Sequence, residues 1–258
     1  ISPDYPGAMR ELIETATHAP CVFLQGASGE LGPKIGFKGD PAVADRNGRQ
    51  LGYAALSAIE ALPTPGTDLV YTGAVASGAL LGTWGEEPVD SKRQTAIQRW
   101  AVRDETISIP YRDDLPELTT LEAELARWAE LDRKGRSGTE DISLDPHAEA
   151  EKARRALERR RSLPEGDRFP YRVSLIRIGD AVWVCVQGEP YSQLQTELRR
   201  RFPHLTILVG SISGSWSTAY LPPKNAWGDG RYQEKIAILH PGCLETVIER
   251  LTELIGQT

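Results

Sequence analysis

Glu189 stands in Gln187-Gly188-Glu189-Pro190, directly after the apolar run Val182-Trp183-Val184-Cys185-Val186. A carboxylate at the end of such a strand must be hydrogen-bonded, paired or bound to a cation, because an isolated buried charge is costly. Two uses fit it: a cation ligand, or a cap on the helix expected from Tyr191 onward, whose positive end attracts a carboxylate. A second candidate is Gln25-Gly26-Ala27-Ser28-Gly29-Glu30-Leu31-Gly32-Pro33, a glycine-rich loop after the apolar Cys21-Val22-Phe23-Leu24. Gly29 and Gly32 can turn backbone N–H groups toward an oxyanion, and Ser28 offers a hydroxyl at a sharp turn. The letters match neither G-x-S-x-G nor a lysine-bearing phosphate loop, so a structural turn, an oxyanion loop and a serine nucleophile all stand open. A β-branched side chain at Gly32 is expected to break the turn. The third candidate is a pair of phenols, Tyr220 before Leu221-Pro222-Pro223, and Tyr232 twelve residues later. They suit a cleft and an apolar edge alike. His18, His147, His204 and His240 show no H-x-H or H-E-x-x-H spacing, so an all-internal histidine metal site is not written here.

These residues sit in a chain of 258, with 40% hydrophobic and 26% charged residues, which is the composition of a globular protein with a sizeable core. A net charge of −6 offers no overall basic field for nucleic acid. No apolar stretch approaches the roughly 18 residues of a membrane span, so the chain reads as soluble, without a transmembrane segment. Cys21, Cys185 and Cys243 are far apart and odd in number, and read as small buried side chains rather than a disulfide or zinc framework. The first residue, Ile1, is not methionine and nothing near it resembles a targeting segment, so the chain reads as a fragment, a processed product or a recut numbering.

The pattern predicts helices and strands in alternation. A helix carries Met9, Leu12, Ile13 and Ala16, with Asp4 placed to cap it. Cys21 to Leu24 reads as a buried strand. A second helix, signalled by Asp45-Arg46-Asn47, carries Gly48, Leu51, Gly52, Ala55 and Ile59, and its small residues are expected to lie close against a sheet. Strands are expected over 68–84 and 101–111, then a helical hairpin inserted at about 115–163, with a stripe of Leu118, Leu121, Leu125, Trp128 and Leu131. Its turn is expected at Gly135-Arg136-Ser137-Gly138, and its Arg159-Arg160-Arg161 run, flanked by glutamates, reads as a solvated helix face. Gly179-Asp180 marks a hairpin between strands 171–178 and 181–186; a helix over 191–202, a strand over 205–209, a Gly/Ser-rich loop to Ser217 and a last apolar-faced helix follow. The fold class is therefore α/β, a mixed sheet with packed helices, read as one domain over 1–258.

At the chemistry-bearing residues the chain resembles the neutral/alkaline, non-lysosomal ceramidase family. Phe23 to Pro33 is similar to that family's Gly-Asp-Val-Ser-Pro segment, and Gly179-Asp180-Ala181 through Gln187-Gly188-Glu189 to its Gly-Asp, apolar strand, Gly-Glu block. Tyr220 and Tyr232 resemble its two C-terminal tyrosines, interval included, and Ile1-Ser2-Pro3-Asp4-Tyr5-Pro6-Gly7 resembles the stretch after its His-Pro metal motif. The resemblance implies a zinc-dependent amide hydrolase of which this chain is the C-terminal portion of the catalytic unit. It implies that Glu189 and Tyr220 are metal ligands, that two histidine ligands come from upstream of Ile1, and that Tyr232 polarises the scissile carbonyl. Implied partners are a small-molecule or lipid-like N-acyl substrate and the missing N-terminal segment or chain. An inactive, ceramidase-like binding or structural module is the alternative, favoured by Gly32 standing where the family carries serine; a metal-free hydrolase using Ser28 is the third reading.

Overall fold

The structure, a computed structural model, describes residues 2–134, 145–214 and 218–257. The expected turn at Gly135-Arg136-Ser137-Gly138 and the loop end at Ser217 lie outside those residues. The chain is an α/β fold that divides into two compact units.

The first unit comprises Ile1–Leu24, Leu31–Trp100 and Arg177–Ala181. Helix α1 (Asp4–Thr17) buries Met9 and Ile13. Its cap residue is Pro3, without a side-chain cap; Asp4 instead lies inside the first turn and accepts from the Tyr5 N–H at 2.6 Å. Helix α2 (Pro41–Glu60) starts earlier than Asp45-Arg46-Asn47 suggested, because Asp40 accepts from the Ala42 N–H at 2.9 Å and Pro41 supplies a pre-set first turn. Its small residues do permit close packing, but against α1 rather than a sheet. A Cβ on Gly48 would stand 2.1 Å from the Tyr5 carbonyl oxygen, and one on Gly52 would stand 2.8 Å from a Leu12 methyl. Strands β1 (Thr67–Ser77) and β2 (Ala79–Pro88) pair antiparallel, with an irregularity between Tyr71 and Gly73, and helix α3 (Ser91–Ile97) is capped by Asp90. Cys21 to Leu24 forms no strand: Val22 is 75% exposed, and Phe23 packs edge-on to Tyr5 instead. An apolar run becomes a strand only where a ladder partner exists, and the sheets here leave this run without one.

The second unit comprises Gln25–Glu30, Ala101–Ile176 and Val182–Thr258. Its sheet runs in the order β3 (Trp100–Pro110), β4 (Arg168–Ile178), β5 (Ala181–Val186), β7 (Thr206–Gly210). The inserted hairpin is α4 (Leu118–Lys134) and α5 (Pro146–Arg161), joined by packing of Leu125, Trp128 and Leu131 on Ala150 and Ala153. Alternation sets the core: Phe169, Tyr171, Val173 and Leu175 of β4 and Val182, Val184 and Val186 of β5 are buried together. Helix α6 (Gln193–Arg201) adds Leu194 and Leu198. Helix α8 (Cys243–Ile255) adds its expected face of Leu244, Val247, Ile248, Leu251, Leu254 and Ile255. Two-residue strands β6 (Glu189–Pro190) and β8 (Tyr220–Leu221) form a small parallel sheet of their own, and short helix α7 (Tyr232–Ile236) follows. Cys243 is buried while Cys21 and Cys185 are half-buried, and all three thiols are free. No helix among the described residues is long and apolar enough to cross a membrane.

The α1–α2 contact yields a sign test. Gly→Ala in a helix interior ordinarily stabilises by about 1 kcal/mol. At Gly48 the added methyl meets backbone, so Gly48→Ala should instead lower stability by about 1–3 kcal/mol, measured by urea unfolding. A gain in stability would show that the helices are not in this close contact.

Candidate functional site

Strand β5 ends in a polar anchor that fixes where Glu189 emerges. Gln187 is buried, its side-chain oxygen accepting from the Arg172 N–H at 2.8 Å and its carbonyl from the Tyr171 hydroxyl at 2.8 Å. Gly188 then turns the chain with φ +64°, and a Cβ there would lie 2.1 Å from the Thr218 hydroxyl and 2.4 Å from the Ala219 carbonyl oxygen. Only glycine meets both demands. The turn delivers Glu189 into parallel register with Tyr220, the Glu189 N–H donating to the Ala219 carbonyl at 2.7 Å.

The sequence left two uses for Glu189, and the helix-cap use is taken by another residue. Glu30 receives the Ser192 N–H at 3.0 and 2.9 Å and also the Ser192 hydroxyl, which places a carboxylate at the start of α6. Glu189 instead acts electrostatically on the Tyr220 phenol opposite it in the ladder. The Tyr220 phenol is pushed up to about 12, first by burial, then by the Glu189 charge, by neighbouring Tyr232 and by the hydrogen bond to Glu189; Arg159 opposes the shift. Tyr232 opens α7, is 60% exposed, and sets its ring edge-on to Tyr220 with centroids 5.9 Å apart.

The loop at Ser28 belongs to the same unit. The Gly29 N–H donates to the Pro190 carbonyl at 3.0 Å, and a Cβ on Gly29 would stand 2.5 Å from the Glu189 carbonyl oxygen. The Gln233 amide donates to the Gly29 carbonyl at 3.1 Å, tying α7 to this loop. The Ser28 hydroxyl accepts from the Gln25 amide at 2.5 Å and donates to the Gly26 carbonyl at 3.3 Å, and neither partner is a base that could activate it. Gly32 falls in the first unit. A Cβ there would meet only a Phe37 ring carbon at 3.9 Å, so the tight glycine of this segment is Gly29, not Gly32.

Glu189, Tyr220, Tyr232, Ser28 and Gly29 therefore converge within the second unit. Sequence reasoning missed Glu30 and Gln233, whose partners lie far along the chain, and Arg159, which was grouped with a solvated helix face. That grouping holds for its neighbours: Arg154 and Arg155 pair with Glu151, Lys152 with Glu149 and Arg161 with Glu122. Arg159 is half-buried and acts electrostatically on both phenols. Arg112 steadies α7 from its far end, donating to the Glu234 and Ala237 carbonyls at 2.6 and 3.1 Å while its guanidinium lies over the Trp227 ring.

Two histidine rings have partners of their own, His147 with Asp132 and His204 edge-on to Phe202, while the backbone N–H groups of His18 and His240 close α1 and donate to the Pro110 carbonyl. Among the described residues no three of His, Cys, Asp and Glu group as metal ligands. Glu189 and Tyr220 stand opposite each other in the ladder and bring two side chains with oxygen donors to one place.

No protein-family model matches the sequence, and no curated protein does. Among solved structures the fold is similar to that of the neutral ceramidase from Pseudomonas aeruginosa, with a TM-score of 0.51 at 12% sequence identity, over 98% of this chain and 40% of that one. The likeness is one of fold, and this chain spans well under half of that protein's length.

Two expectations follow from this geometry. Gly29→Ala should cost about 1–3 kcal/mol by forcing the loop off β6, whereas Gly32→Ala should stay within about 0.5 kcal/mol; paired thermal melts check this, and equal effects would contradict it. Glu189→Gln should lower the Tyr220 pKa from about 12 while burial keeps it above the ordinary 10, read as the ultraviolet titration that Tyr220→Phe abolishes. Because the folded state keeps this proton longer than the unfolded chain, Tyr220 weakens the fold as pH climbs from 10 toward 12, and Glu189→Gln should reduce that loss.

Proposed function

We propose that the chain is the Glu189-bearing portion of a ceramidase-like, zinc-dependent amide hydrolase acting on an N-acyl substrate. One observation carries the reading: the helix-cap role that competed for Glu189 belongs to Glu30, and Glu189 faces a phenol pair. The fold likeness to a neutral ceramidase supports the same reading.

In this proposal Glu189 and Tyr220 hold zinc together with ligands from outside the described residues. Bound zinc supplies Lewis acidity and lowers the pKa of water. The protein's own groups supply position and electrostatics. Glu189 is held by the Gly188 turn and its parallel register, which keeps it opposite Tyr220. Tyr232, exposed at the start of α7, donates a hydrogen bond to the amide oxygen as negative charge develops there. Arg159 adds a fixed positive charge beside both phenols. The loop at Ser28 and Gly29 borders the site and, through Gln233, fixes the helix that carries Tyr232. Hydrolysis adds water across the amide: the C–N bond breaks, the acyl carbon gains oxygen, and the amine leaves with a proton.

The test separates the ligands from the polariser. Glu189→Gln and Tyr220→Phe should lower zinc content measured by metal analysis, while Tyr232→Phe should keep zinc and lose roughly 10²–10³ in kcat on an N-acyl amide. Full zinc occupancy in a folded Glu189→Gln protein would remove the ligand assignment.

A further inference from the structure

A cavity of about 330 Å³ lies within the second unit where α5 of the inserted hairpin meets α7 and the segment after it. Its volume falls in the range of small-molecule sites. Leu121, Leu163, Ile236 and Ile238 line it with apolar surface. The cations Arg112, Arg159, Arg160 and Lys235 line it, against the carboxylate of Asp114.

The charges are distributed unevenly. Arg112 is matched by Asp114, which accepts from it at 2.5 and 2.7 Å, so that pair contributes no surplus. On the outward face of α5, Lys152, Arg154, Arg155 and Arg161 each have a glutamate partner. Arg160 and Lys235 form no salt bridge among the described residues, and the Arg160 Nε donates only to the Pro116 carbonyl at 3.3 Å. The helix thus neutralises its solvent-facing cations and leaves positive charge facing the cavity. Cations against an apolar wall select a ligand that is anionic at one end and apolar at the other.

We propose that this cavity is a binding subsite for an anionic amphiphile. A carboxylate or phosphate monoester group lies between Arg160 and Lys235, and a short apolar stem lies against Leu121, Leu163 and Ile236. The subsite adjoins the phenol pair through Arg159, which lines the cavity and acts on Tyr220 and Tyr232, and through α7, which carries both Tyr232 and Lys235. The proposal goes beyond amide hydrolysis and needs neither zinc nor turnover.

Calorimetric titration of the full protein at low ionic strength tests it, with four probes of one chain length below their micellar concentrations: octanoate, octyl phosphate, octanol and octylamine. Octanoate or octyl phosphate should bind saturably, and the tighter of the two identifies the acidic group. Octanol and octylamine should bind at least about tenfold more weakly. Arg160→Gln with Lys235→Gln should weaken the preferred anion by about tenfold or more, and Lys235→Gln alone by about threefold, with the melting temperature as the check on folding. Lys235 is exposed, so its single substitution keeps the test decisive if the double variant unfolds. Glu189→Gln should leave anion binding unchanged even where it abolishes zinc binding or hydrolysis, which separates the two proposals. Equal binding of octanol, absence of saturable anion binding, or anion affinity unaltered in Lys235→Gln would overturn the subsite. Loss of anion binding in Glu189→Gln would assign the anion to the Glu189 region instead.

Discussion

A pairing two residues long governs the chemistry-bearing end of the second unit. Glu189 lies opposite Tyr220 and Pro190 opposite Leu221 in a parallel ladder too short to be stable by itself. It persists because its flanks leave it no alternative. Gly188 fits where any Cβ would strike Thr218, Gly29 closes on the Pro190 carbonyl, and Tyr171 and Gln187 anchor the strand that leads in. Register is the decisive quantity in such a ladder. A slip of one residue would put Pro190 opposite Tyr220 and turn the Glu189 carboxylate to the opposite face.

The inserted hairpin bears on that ladder electrostatically. Most of α5 is a conventional solvated surface, with carboxylates three and four residues from its cations. Toward its C-terminal end Ala156, Arg159 and Arg160 face the cavity within the unit. A helix that is polar almost all round is held by the few apolar residues it buries, here Ala150, Ala153 and Leu157, and its C-terminal cations stand where the helix dipole favours them.

Much of this architecture is legible in the sequence because it is periodic or punctuated. The face of α8, the Leu121 and Trp128 stripe, and the Gly179-Asp180 hairpin follow from spacing and turn chemistry alone. The chemistry-bearing residues were legible in part: Glu189 stood out because a carboxylate after Val182 to Val186 demands a partner. Which partner it has was not legible, since its competitor Glu30 reaches Ser192 across 162 residues. The same limit explains Cys21 to Leu24. Its composition suits a strand, but a strand is a relation between two segments, and among the described residues the second is lacking. Gly48 and Gly52 show the converse case, where the need for close approach is written in the residues and the approaching element is not.

The attachments of the loop at 25–30 have a kinetic consequence. Its contacts go to Ser211 across 186 residues, Ser192 across 162 and Gln233 across 204, so each closes a very long span of chain. Loop-closure entropy must be met before such contacts reward it, which orders assembly. The segment bearing Ser28 and Gly29 therefore gains nothing until residues 192, 211 and 233 are in place. During synthesis this early segment waits for almost the whole remaining chain to emerge. The surface that comes to border Glu189 is completed only once those residues are in place, and its docking can open without unfolding the core beneath.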